Sequence, residues 1–124
     1  MPEDTEPTLD TSVLEEIHRS TSEGDFIELI SEFVEAVERL AGEVAAAQKA
    51  VDIDRLERAA HEMAGMVTTF GAMRLGKAAR SIMLDCRGDE TDRALAQTSE
   101  LHGMIDEALA ALSERFPGVV VSKA

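Results

Sequence analysis

Tryptophan and tyrosine are absent from this sequence of 124 residues, and four phenylalanines supply all of its 3% aromatic content. Strands are normally built from aromatic and β-branched residues, so a core drawn from the 44% hydrophobic fraction must be aliphatic and methionine-rich, which favours packed helices over a β-sandwich. Basic residues are scarce as well. Twelve Lys and Arg stand against 25 Asp and Glu, for a net charge of -13 at pH 7. Such a surface repels phosphate backbones and anionic lipid, which excludes nucleic acid and membrane as partners. The lone cysteine, Cys86, cannot form an internal disulfide. No apolar run approaches the roughly 20 residues that span a bilayer, and no basic, apolar leader opens the chain. A cytoplasmic protein of one domain is expected.

What is present is organised by helical periodicity. Residues 1–8, "MPEDTEPT", are polar and aperiodic and read as a disordered lead-in. Residues 9–20 form a short amphipathic segment carrying Val13, Leu14 and Ile17. After the breaker "SEGD", Asp25 is positioned to cap a long helix whose apolar positions are Phe26, Ile30, Phe33, Val37, Leu40 and Val44. Alternating steps of four and three are the stripe a helix turns towards a bundle core. A second stripe runs through Ile53, Leu56, Ala60, Met63, Val67 and Phe70, with Asp52 as its cap and Gly71 as its end. A third carries Leu75, Ala79, Ile82 and Cys86 and closes at Gly88. The fourth runs from about Asp89 to Phe116 through Ala94, Thr98, Leu101, Ile105, Ala108 and Leu112. Pro117 and Gly118 stop it and leave residues 117–124 as a tail. The expected fold is all-α: an antiparallel up-and-down four-helix bundle with a short additional N-terminal helix, spanning 9–116.

One stretch of the second helix, "AAHEMAGMVTTFGAMRL" at 59–75, breaks the habits of a solvated surface. At about 100° per residue the core stripe centres near Ala60 and Val67, and His61 points roughly 130° away from it, towards water. Arg58, Ala64, Gly65 and Thr68 share that outer face, with Glu57 at its edge. Such a face is usually filled with Lys, Glu and Gln, and a glycine costs about 1 kcal/mol relative to alanine in a helix. A bare patch around an imidazole is what close approach of another protein requires. A neutral imidazole, with an unperturbed pKa of about 6.5, is also a competent nucleophile that can accept a phosphoryl group and release it. The plainer reading, an inert surface histidine, is compatible with the same geometry.

The segment "LERAAHEMAGMVTTFGAMRLGKAARSIM" resembles the signature of histidine-containing phosphotransfer (HPt) domains, which relay phosphoryl groups between response-regulator receiver domains. The family places Ala before the histidine, an apolar residue two after it, Gly four after, Gly ten after, Leu fourteen after and a small residue eighteen after. Ala60, Met63, Gly65, Gly71, Leu75 and Ala79 stand at those positions. The resemblance implies that His61 is phosphorylated at Nε2, that Gly65 lets a receiver settle over the ring, and that Gly71 makes the interhelical turn. Glu57, Ala64, Gly65 and Thr68 become the docking surface. It further implies a diffusible, monomeric phosphocarrier whose partners are receiver domains and a hybrid histidine kinase in a multistep phosphorelay. The receiver brings the Mg²⁺, and the chain has no cofactor or metal of its own. No phosphate-cradling G-x-x-x-x-G-K-[ST] loop is present, so no ATP site is expected.

There is one departure. The family usually carries Lys three residues after the histidine, and here that position is Ala64. A phosphoryl group brings about -1.5 to -2 of charge, so another cation should substitute. Arg58, one turn before His61, and Arg87, at an offset where some relatives contact phosphate, are the candidates, each equally readable as an ordinary surface charge. Glu57 could accept a hydrogen bond from Nδ1 of His61, although an i,i+4 surface pair is the simpler reading. His18 and His102 are expected to be solvated, and Met63, Met83 and Met104 to fill the core. A di-iron bundle needs two Glu-x-x-His pairs. The sequence offers only Glu15 with His18, in the short first segment. The alternative function is an HPt-fold binding module that docks receivers or kinases without carrying phosphate.

Overall fold

The computed structural model describes residues 9–118. The expected lead-in at 1–8 and residues 119–124 of the expected tail lie outside them. Helices follow one another as α1 (Thr11–Arg19), α2 (Glu23–Ala50), α3 (Ile53–Thr69), α4 (Met73–Arg87), α5 (Thr91–Ala96) and α6 (Thr98–Arg115). Connections of two or three residues join α2 to α3, α3 to α4 and α4 to α5, so consecutive helices run antiparallel. Helix α2 packs on α3 and α6, and α4 packs on α3 and α6, which closes a four-membered ring with α1 laid against α2.

The stripes read from the sequence are the faces that pack. Phe26, Ile30, Val37, Leu40 and Val44 of α2, Leu56, Ala60, Met63 and Val67 of α3, and Leu75, Ala79 and Ile82 of α4 are all at most 2% exposed. Removal of apolar surface from water at roughly 25 cal/mol per Å² is what holds the ring together. An aliphatic core without Trp or Tyr also has few polar atoms to satisfy.

Two boundaries differ from the sequence expectation. Helix α2 starts at Glu23 rather than after Asp25, because Ser22 is the cap: its hydroxyl accepts from the Asp25 backbone N–H at 3.1 Å. The fourth long helix is interrupted at Gln97, where α5 ends and α6 begins, and its first helical residue is Thr91 because Asp89 lies in the left-handed region at φ 61°. At the interruption the buried Thr98 hydroxyl donates to the Leu95 carbonyl at 2.8 Å, a local bond that competes with the helical ladder and bends it. Asp85, buried at the end of α4, receives Arg93 at 3.1 Å and also Gln97, anchoring the bend to α4.

The α3–α4 turn needs its glycine twice over. Gly71 has φ +92°, and a Cβ there would stand 2.7 Å from the Asp10 carbonyl oxygen. The Asp10 N–H donates to the Gly71 carbonyl at 2.8 Å, so the start of the described chain is fastened under the turn. The α2–α3 turn lacks that adaptation. Val51 closes α2 at φ 52°, a region costing an L-residue roughly 1–2 kcal/mol, and its side chain is 58% exposed. Val51→Gly should relieve the strain, lose little burial, and give back part of the gain as unfolded-chain entropy. A net stabilisation of about 0.5–1 kcal/mol is expected, read as a raised urea midpoint with an unchanged slope.

Candidate functional site

With Ala60 and Met63 fully buried on the inner face of α3, the helical turn carries His61 to the outside, where it is exposed. It stands at the edge of a hollow of about 460 Å³ between α3 and α4. The α3 wall is His61, Ala64, Gly65 and Thr68, all small apart from the imidazole. Gly65 meets nothing within 4 Å of a notional Cβ, so the space above it is open to an approaching surface.

The α4 wall supplies Met73, Gly76, Lys77, Arg80 and Met83. Gly76 sets how close the two helices come, since a Cβ there would lie 2.6 Å from the Thr68 hydroxyl oxygen. Met83, 3% exposed, reaches the imidazole: its Sδ lies 3.0 Å from Nδ1 of His61. A thioether accepts but cannot donate, so this contact is a hydrogen bond only in the tautomer with the proton on Nδ1. In that tautomer the lone pair sits on Nε2, the ring nitrogen that does not face Met83. Met83 is therefore more than the core filler its sequence context suggests.

The other sequence candidates are distributed around this centre. Glu57 does not reach Nδ1; it accepts from Nε of Arg87 at 2.6 Å and ties α3 to the end of α4. Arg87 is thereby engaged with a carboxylate. Arg58 lies on the other side of His61, lining a second hollow between α2 and α3 with Arg39, Glu43, Arg55 and Glu62. Two of its three arginines are paired there, Arg55 gripping Glu43 at 2.8 and 3.2 Å and Arg39 meeting Glu62 at 3.0 Å, while Arg58 makes no ion pair among the described residues. Hydrogen bonding to Arg55 and its charge hold the Glu43 carboxyl below the usual carboxylate range. Two further cations, Lys77 and Arg80, carry no sequence signal for this site, because they belong to the next helix and only the packing of α3 on α4 places them in the hollow that His61 lines.

His18 is also not where the sequence puts it. Its ring is half-buried, stacked on Phe26 with centroids 4.1 Å apart, and its Nε2 is 2.6 Å from Oε1 of Glu23. His102, on α6, is likewise half-buried. Burial, with the charges of Glu57 and Asp85 added, pushes the Cys86 thiol above the usual thiol range. Among the described residues no group of three or more His, Cys, Asp or Glu converges where a metal could be held.

Comparison with known proteins bears on the family and the fold. The family model for the Hpt domain matches residues 28–114. Among solved structures, the crystal structure of histidine-containing phosphotransfer protein B (HptB) from Pseudomonas aeruginosa PAO1 superposes with a TM-score of 0.81 at 24% identity, covering 88% of this chain and 94% of that one. At that identity the likeness speaks for the fold. No curated protein matches the chain.

Proposed function

Because the chain belongs to the Hpt domain family, the histidine phosphotransfer modules of two-component signalling, we propose that it relays a phosphoryl group between receiver-domain aspartates through phosphohistidine at Nε2 of His61. The observation that carries this reading is the imidazole itself: exposed, with Nδ1 against Met83 Sδ at 3.0 Å and open space over Gly65. In the first transfer the Nε2 lone pair attacks phosphorus in line, the N–P bond forms, and the P–O bond of the aspartyl phosphate breaks to return a carboxylate. In the second, the carboxylate of another receiver attacks, and the bonding pair of the broken N–P bond returns to Nε2. Nδ1 keeps its proton throughout, so neither step needs a general acid or base. Such transfer depends on positioning and on electrostatic stabilisation, and the receiver brings the Mg²⁺.

Glu57, Ala64, Gly65 and Thr68 are the surface on which receivers and the hybrid kinase dock. The protein works as a monomer in the cytoplasm. Among the described residues the large exposed hydrophobics are Val51 and Leu84, on different elements, which supports a monomer over association through an apolar patch. No described helix is long and apolar enough to cross a membrane.

Incubation with a panel of radiolabelled phospho-receivers tests the proposal. Label that moves to this chain, is lost in acid, survives alkali and maps to His61 is the expected result. Receivers that bind without passing label would make the protein a docking module instead.

A further inference from the structure

We propose that Arg80 of α4 is the cation that holds the phosphoryl group on His61, an assignment that rests on the carrier reading above. A phosphoryl group adds about -1.5 to -2 of charge to a chain already at -13. The hollow beside the imidazole has no carboxylate in its walls, and Lys77 and Arg80 are the lysine and arginine that line it. Lys77, Arg80 and Met83 follow one another at intervals of three on α4 and so form one row along its surface. Met83 is the member of that row that touches His61. Arg80 is its neighbour, one turn from the imidazole contact, and Lys77 is a turn further.

The other arginines near His61 are directed elsewhere. Arg87 is bound to Glu57 at 2.6 Å, and Arg58 lines the hollow on the α2 side. Arg39, Arg55, Arg93 and Arg115 all have carboxylate partners. Arg80 is exposed and makes no ion pair among the described residues. A long guanidinium with rotamer freedom at the rim of a hollow can place its planar fork on two phosphoryl oxygens, a geometry an ammonium cannot reproduce. Ala64, on the opposite wall, leaves the space for it.

The measurement is the equilibrium partition of label between this protein and one purified receiver at concentrations where the two are mostly dissociated. Docking rates do not enter an equilibrium constant, so the partition isolates how well each protein holds the group. A charge-assisted hydrogen bond is worth enough that Arg80→Ala should move the partition about tenfold towards the receiver. Arg80→Lys should recover part of that shift. Ala64→Lys, placing a cation one turn from His61 on the facing wall, should recover more of it in the Arg80→Ala background than it adds to the wild type, since two cations serving one group are coupled. Arg39→Ala, which removes the same charge from the α2 side, should leave the partition unchanged. Thermal midpoints should be equal throughout.

Wild type that accepts no label from any receiver overturns the carrier reading and this assignment with it. Wild type that accepts label, with Arg80→Ala partitioning as the wild type does, overturns the assignment alone. A shift produced by Arg58→Ala or Arg87→Ala but not by Arg80→Ala also overturns it and gives the role to that residue.

Discussion

His61→Gln should abolish phosphoryl acceptance while leaving the thermal midpoint within experimental error. The amide of glutamine keeps hydrogen-bonding capacity, but its nitrogen lone pair is delocalised and cannot attack phosphorus, so the loss should be complete. Stability should hold because the imidazole is exposed and its described side-chain contact is the one to Met83 Sδ, a weak acceptor. The measurement is label acceptance from a phospho-receiver alongside a thermal melt. Residual acid-labile label on the substituted protein would move the site to His18 or His102. Of these, His18 is the worse placed, with Nε2 already against Glu23 and its ring stacked on Phe26.

Gly65→Gln should separate stability from transfer. Nothing lies within 4 Å of a Cβ at this position, so the side chain adds no clash inside the molecule, and glutamine is a better helix former than glycine by several tenths of a kcal/mol. The melting temperature should hold or rise. Transfer should nonetheless fall by about 100-fold, because in-line attack needs the reacting atoms within ~3–3.5 Å and a displacement of about 1 Å is enough for a loss of that size. Residue 65 is one turn beyond His61, about 6 Å along the helix axis, inside the footprint any receiver must cover. Rapid-quench kinetics with one receiver decide it. Transfer at the wild-type rate would mean that the bare surface of α3 has another cause.

The α3–α4 wall is also where reading the chain and seeing it folded diverge most. Met83 and Gly76 each serve the site through one contact: sulfur on Nδ1, and a missing Cβ against the Thr68 hydroxyl. In the sequence Met83 is one more apolar residue on a helix, and Gly76 is an ordinary break in helix propensity. Nothing in the period of their own helix says which residue of the preceding helix they face.

The sequence by itself determined the helical class, the faces that pack and the exposure of His61. These follow from local physics: a 3.6-residue period fixes which side chains share a face, and burial selects the apolar one. It also determined the Asp52 cap and the glycine turn at Gly71, which depend on bonds and dihedral angles within a few residues. The Ser22 cap was within reach of the same logic, with two cap-forming residues, Ser22 and Asp25, three apart and only the preceding turn choosing between them. What the tertiary structure alone decided is everything that depends on the register of one helix against another: the pairing of Glu57 with Arg87, the turning of Arg58 towards α2, the contact of Met83 with the imidazole, and the arrival of Lys77 and Arg80 in the hollow that His61 lines. Residues as far apart as His61 and Met83, 22 positions, or Glu57 and Arg87, 30 positions, have no fixed angular relation along the chain. Their meeting is set by how far α4 slides along α3 and how closely Gly76 lets it approach.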